Sequence, residues 1–279
     1  MKINNSAFKG LPTIPQYRNW SKEKVKHLVV GNPELEGYVT VEPKYCLNKN
    51  TIILYNFSDK PLVGIYKSVI FDIEKGIVLS QRSPRQIAQD FVKNILISGL
   101  SFSKALMKEL GIKYHHVISL GHTAYFSLKG YTQVQTDWAG LHHIADYRPT
   151  AKGLVITSTK INNYQYNFIF CDHAAQIMTR LRESLYHNAV THELLHEYLF
   201  ELGLNNCGIS KESILHEDEF DGRRAKIGVQ YHNLTKDIIA NWHYKFGQRL
   251  AQEYDLIMLL ADVVFISTTW SVFSLGLNS

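Results

Sequence analysis

The sequence is poor in cysteine, and the three it has, Cys46, Cys171 and Cys207, are far apart and form no CxxC pair. That excludes a disulfide framework and a thiolate zinc site, and it fits a reducing compartment. Long apolar runs are missing too. The longest, Leu256 to Ile266, is too short to span a bilayer and contains Asp262. The N-terminal MKINNSAFKGLPTIPQY lacks the apolar centre of a signal peptide. There is no internal repeat, low-complexity tract, G-x-S-x-G elbow, Walker loop or dinucleotide fingerprint. The chain therefore reads as a cytoplasmic protein with no membrane partner, no cofactor and no nucleophile-based active site.

What is present is a folded composition. Of 279 residues, 45% are hydrophobic, enough for one large domain or two ordinary ones. The formal charge of +5 permits an acidic partner such as nucleic acid without requiring one. Thirteen histidines add latent positive charge at low pH.

Residues 1–36 are proline-punctuated and read as an N-terminal arm. From Gly37 the runs GYVTVEP, TIILYNF, LVGIYKSVIFDI and GIVLS are β-branched and aromatic, separated by turn residues such as Glu74-Lys75-Gly76. Close spacing favours antiparallel pairing. Ser83-Pro84 then predicts a helix start, with Ser83 as cap and Pro84 in the first turn. Ile87, Phe91, Ile95 and Leu96 form its inner stripe, and Gly99 is placed to stop it. A second helix, opened by Ser101 or Ser103, runs to Gly111. Strands resume at HHVISL, TAYFSL, WAGLHHIADY, GLVITST and YQYNFIF. A helix opened by Asp172 carries Leu181 and Leu185 toward Gly203. The expected fold is α+β, a mostly antiparallel sheet with packed helices over 37–205. A C-terminal helical extension is expected over 206–279, where the composition shifts.

Three constellations carry possible chemistry. Across 82–113 the bases are Arg82, Arg85, Lys93, Lys104, Lys108 and Lys113, against the acids Asp90 and Glu109 alone. Such an excess suits DNA backbone contacts, though a solvated helix face has the same look. His192-Glu193-Leu194-Leu195-His196 matches HExxH, which on a helix sets two imidazoles one turn apart for zinc, with the glutamate as base. Leu199 stands where a metzincin needs glycine, and Glu212, Glu217 and Glu219 are third-ligand candidates only by lying downstream. We expect no metal site there, and keep a zinc metallopeptidase as the alternative function. Finally, His115-His116 and His142-His143 sit in strand-like runs, so each pair should offer one inward and one outward imidazole.

Between about Gly37 and His187 the chain resembles the ComK family of competence transcription factors. The likeness is carried by SPRQIAQDFVKNILISGLSFSKAL, where Gly99, Ser101 and Phe102 look like the family's turn before a basic helix. It continues through KYHHVISL, Tyr125-Phe126, Trp138 leading to Leu141-His142-His143-Ile144, and the helix of Gln176, Arg180 and Leu181. Lys104-Ala105 replaces the family's Gly-Arg, and Ser127-Leu128 its Pro-Thr, as in a divergent branch. The resemblance implies an activator of DNA-uptake genes that binds A·T-rich double-stranded DNA as a homo-oligomer. Residues 222–259 look like a helix and strand of TnpB-type transposon nucleases, but Leu260 stands where that family has a catalytic acid. Without acids to hold metal ions, cleavage has no mechanism there. An inactive regulator–transposon fusion is the third reading.

Overall fold

The β-branched and aromatic runs form two sheets, because each strand has an apolar face to cover and several have two. The computed structural model describes residues 10–94, 100–113, 117–130, 135–151, 153–171, 173, 175–201 and 214, with side chains at all of these except 94, 100–102 and 197–201. The chain order is β1 (Asn19–Ser21), α1 (Lys22–Leu28), β2 (Val39–Val41), β3 (Thr51–Asn56), β4 (Ser68–Asp72), β5 (Gly76–Ser80), α2 (Pro84–Asn94), α3 (Leu100–Glu109), β6 (Val117–Ser119), β7 (Ala124–Ser127), β8 (Trp138–Gly140), β9 (Ile144–Thr150), β10 (Gly153–Ser158), β11 (Asn167–Phe170) and α4 (Ile177–Glu201). The fold is α+β, as the sequence predicts.

A seven-stranded sheet runs in the order β2-β5-β4-β3-β8-β7-β6, and a four-stranded sheet in the order β1-β11-β10-β9. Two pairs are parallel, β1 with β11 and β2 with β5; the other pairings are antiparallel. Strands β3, β4 and β5 are buried along their whole length, so the large sheet is covered on both faces. Val69 and Phe71 of β4 point to one core and Ile70 to the other, the alternation that a period of two demands. The first core joins the sheets through tilted and edge-on rings: Trp20 lies 5.0 Å from Phe71, Phe71 5.0 Å from Phe168, and Tyr55 5.1 Å from Phe170. The second core is roofed by α2, whose Ile87, Ala88 and Val92 meet Leu54, Ile70, Val78 and Trp138.

From residue 10 onward, the stretch read as an arm is built into the fold. Strand β1 pairs with β11, Trp20 is fully buried, and Lys22 of α1 meets Asp137 at 2.9 Å. The lysines and prolines of 1–36 disguise a segment whose large apolar residues Leu11, Tyr17, Trp20 and Val25 are all core. At the other end α4 is continuous from Ile177 to Glu201, past Asn188. It starts later than Asp172, after Gln176 at φ 57°. Ile214, 1% exposed, also joins the first core. The packed unit therefore reaches beyond a cut at 205. Apart from Ile214, the extension 206–279 lies outside the described residues, as do Glu212, Glu217, Glu219, the TnpB-like run, Gly99 and His115-His116. No helix among the described residues is long and apolar enough to cross a membrane.

Candidate nucleic-acid interface

Helix α2 begins as its sequence requires. The backbone N–H of Gln86 donates to Ser83 Oγ at 3.2 Å, and the N–H of Ser83 donates to Gln86 Oε1 at 2.9 Å. This reciprocal pair is a capping box, and it satisfies two of the donors that a helix start leaves open. With Ile87, Ala88 and Val92 turned inward, Arg85 is left part-exposed and Lys93 exposed. Arg82 precedes the helix and is tied back onto it. Its guanidinium pairs with Asp90 and donates to Gln86 O at 3.3 Å. Its charge is thus largely offset within the helix.

Helix α3 begins at Leu100, so Ser101 and Ser103 lie inside it. Leu106 packs against Val190 of α4, with Ala105, Leu110, Tyr186 and Leu194 around them. Buried Ser103 meets His187 Nε2 at 3.2 Å. That anchoring turns Lys104 and Lys108 outward, and both are exposed, as is Lys113 beyond the helix end. The ion pairs among the described residues include Lys22–Asp137, Lys75–Glu42 and Arg82–Asp90. Of the six predicted DNA-contacting bases, only Arg82 is in one of these.

The Trp138-to-His143 run serves the interior. Trp138 is fully buried under α2, and Asp137 accepts from the Asn56 N–H at 2.6 Å as well as from Lys22. Leu141–His143 is a 3-10 turn rather than strand. This corrects the expectation of one inward and one outward imidazole. The turn brings both rings to one place, 4.2 Å apart, where both Nε2 atoms reach Lys49 O, at 3.2 Å for His142 and 2.5 Å for His143. His142 Nδ1 lies 3.1 Å from Ala124 O and 3.4 Å from Ala124 N. A neutral ring can donate to one of the two carbonyls, Ala124 O or Lys49 O, and which nitrogen carries the proton follows from that choice. Burial, then the neighbouring His143, hold the His142 pKa down to about 3.

Beside the pair is a buried polar knot. Asp72 is fully buried yet accepts from Tyr45 Oη at 2.7 Å and from the backbone N–H groups of Glu74 and Lys75 at 2.9 Å each. Tyr45 also meets Thr51 at 2.5 Å, and Tyr125 donates to Asn48 O. Burial, with the charge of Asp72 nearby, holds both phenols well above their usual pKa. Neutral phenols and a hydrogen-bonded carboxylate make a structural knot. Sequence gives no sign of it, because its members come from the loop before β3 and from β3, β4 and β7.

His192 and His196 sit one turn apart on α4, their ring centres 6.3 Å apart, and His122 lies edge-on to His192 at 4.8 Å. No group of three or more His, Cys, Asp or Glu side chains among the described residues is placed to hold a metal ion. No family model matches the chain, and no curated protein or solved structure matches it.

Proposed function

We propose that the chain is a DNA-binding transcription activator, cytoplasmic and acting as a homo-oligomer on A·T-rich duplexes that control DNA-uptake genes. One observation carries the reading. Four basic side chains of 82–113 are excess to the fold: Lys93, Lys104, Lys108 and Lys113 are exposed while the apolar faces of α2 and α3 do the packing. Unspent cations on helices suit phosphate contacts, and narrow A·T-rich minor grooves attract inserted Arg or Lys. The ComK-like course of the sequence supports the same reading and supplies the target class.

The test is a titration of the full chain against A·T-rich and G·C-rich duplexes at several salt concentrations. Preferential A·T binding that weakens steeply with salt is expected. Equal, salt-insensitive affinity for both, or no binding at low salt, overturns the reading.

A further inference from the structure

The first turns of α2 overlook an open cavity of about 340 Å³ whose lining includes none of Lys93, Lys104, Lys108 and Lys113. Four separate stretches build it. Ser58 follows β3, Lys67 precedes β4, Gln135 precedes β8, and Arg85 and Gln89 come from α2. Ser83 and Gln86 also line it, but their polar atoms are engaged in the capping box. Among the described residues, the lining holds two cations, Lys67 and Arg85, and no carboxylate.

Two of its polar atoms are out of balance. Ser58 Oγ and Gln135 Oε1 are buried without a hydrogen-bond partner among the described residues. Buried polar atoms are seldom left unpaired, and both residues line the hollow, where an entering group can pair with them. Ser58 can donate its hydroxyl proton inward. The oxygen and nitrogen of a glutamine amide are interchangeable in such an assignment, so Gln135 can present its NH2 instead. With Gln89 these are neutral donors flanking Lys67 and Arg85. A planar fork, an ammonium and neutral donors around an acid-free hollow suit a tetrahedral, doubly esterified phosphate.

We propose that this cavity seats one phosphate group, and that its source is the DNA backbone. The seat stands on the cavity itself, while the source rests on the DNA-binding reading above. A single seat would fix register on the duplex, because a phosphate contact positions a protein without reading sequence.

The experiment uses the full chain with two readouts, on Lys67→Gln, Arg85→Gln, the double variant, and Lys26→Gln on α1 as a basic control outside both the cavity and the 82–113 helices. Thermal melting first establishes that each is folded. The first readout is the salt dependence of binding to an A·T-rich duplex. One phosphate's release corresponds to a slope change of about 0.9. Each cavity variant, and the double, should lower the slope by about that amount and no more, since both cations serve one phosphate. The second readout is inorganic phosphate binding by calorimetry, expected to saturate in wild type and in Lys26→Gln and to be lost in the double variant. Duplex binding with an unchanged slope in the double variant overturns the seat and leaves the DNA reading standing. Phosphate binding without duplex binding keeps the seat and overturns the backbone source, pointing to a small phosphorylated ligand. Binding of neither overturns both.

Discussion

Helices α2 and α4 serve opposite faces of the seven-stranded sheet and are built on opposite plans. The inward side of α2 is apolar, with Ile87, Ala88 and Val92 against Trp138 and the middle strands. Helix α4 starts apolar at Ile177, Leu181 and Leu185, then buries Ser184, His187, Asn188 and Thr191. Those polar atoms have work to do. Asn188 accepts from Ser119 at 2.5 Å and donates to Gly121 O at 3.1 Å, and His187 meets Ser103. The loop at Gly121 comes so near α4 that a Cβ there would stand 3.1 Å from the His192 Cα. A helix held by apolar contacts leaves its charges free for another molecule, whereas one held by polar contacts uses its side chains up at home. The exposed lysines of α2 and α3 are thus available to another molecule, whereas His187 and Asn188 of α4 are engaged within the fold.

The comparison can be broken most forcefully at Trp138. If α2 is held by apolar burial, Trp138→Ala should cost about 3–5 kcal/mol, the range for emptying a core site of that size. Denaturant unfolding measures it, and a loss under about 1 kcal/mol would mean that α2 is not held in this way.

Next is Ile214, which extends the α4 side beyond the helix. Its burial in the first core predicts a loss of about 2–5 kcal/mol for Ile214→Ala. A chain ending at Asn205 should then melt lower than one ending a few residues after Ile214. Equal melting of the two would make the segment after 205 dispensable to the fold.

These two sites also show what was legible in the sequence. Of the expected α2 stripe, Ile87 is buried and Phe91 partly so, while Ile95 and Leu96 lie outside the described residues; Ser83 follows from its place before Pro84. The strand runs around Thr51–Asn56 and Gly76–Ser80 are found where their β-branched residues put them. Ile214 carries no such pattern. It lies in a stretch rich in polar residues, and only the tertiary fold shows that it is core. Trp20 is hidden likewise, inside a three-residue strand too short for periodicity to register. The His142-His143 pair misleads for a different reason: three residues of 3-10 turn interrupt what reads as a continuous strand. The cavity with Lys67 and Gln135 joins residues far apart in sequence, and spacing cannot announce such a meeting.

On the α4 side, Asn188→Leu keeps the volume roughly and removes the amide. It leaves Ser119 and Gly121 O without that partner in a buried place, at about 1–3 kcal/mol. A volume-conserving change in the apolar face of α2, such as Ile87→Leu, should cost less, as swaps between isomeric apolar side chains do. Equal costs would erase the distinction between the two plans.

A pH series sharpens the polar side further. His142 is neutral in the fold and its pKa is lowered to about 3, whereas the unfolded chain takes up a proton near 6.5. A lowered base binds its proton more readily when unfolded. Its contribution is therefore complete above about pH 6.5 and is lost as pH falls from there toward about 3. His143, whose pKa is lowered by burial, adds in the same direction, and Asp72 is the charge close by. The slope from His142 alone is at most about 1.4 kcal/mol per pH unit. His142→Gln should be less stable at pH 7 but flatter below 6. A parallel profile would show that the acid loss arises elsewhere.

The smallest effect on stability is expected where the functional claim is strongest. Lys93, Lys104 and Lys108 are exposed and take part in none of the three ion pairs named above. Surface changes of this kind leave stability within about 0.5 kcal/mol. Lys93→Gln, Lys104→Gln and Lys108→Gln, made singly and together, should therefore melt as wild type does. If these lysines lie on phosphates, the triple variant should bind duplex more weakly. Its salt slope should fall by up to about 2.7, or about 0.9 for each phosphate no longer neutralised. Sequence preference should survive, because backbone contacts carry none. A triple variant that melts lower would give these lysines a structural duty on α2 and α3 after all. One that melts alike and binds with an unchanged slope would leave the charge a solvated face and move the search for DNA contacts off these helices.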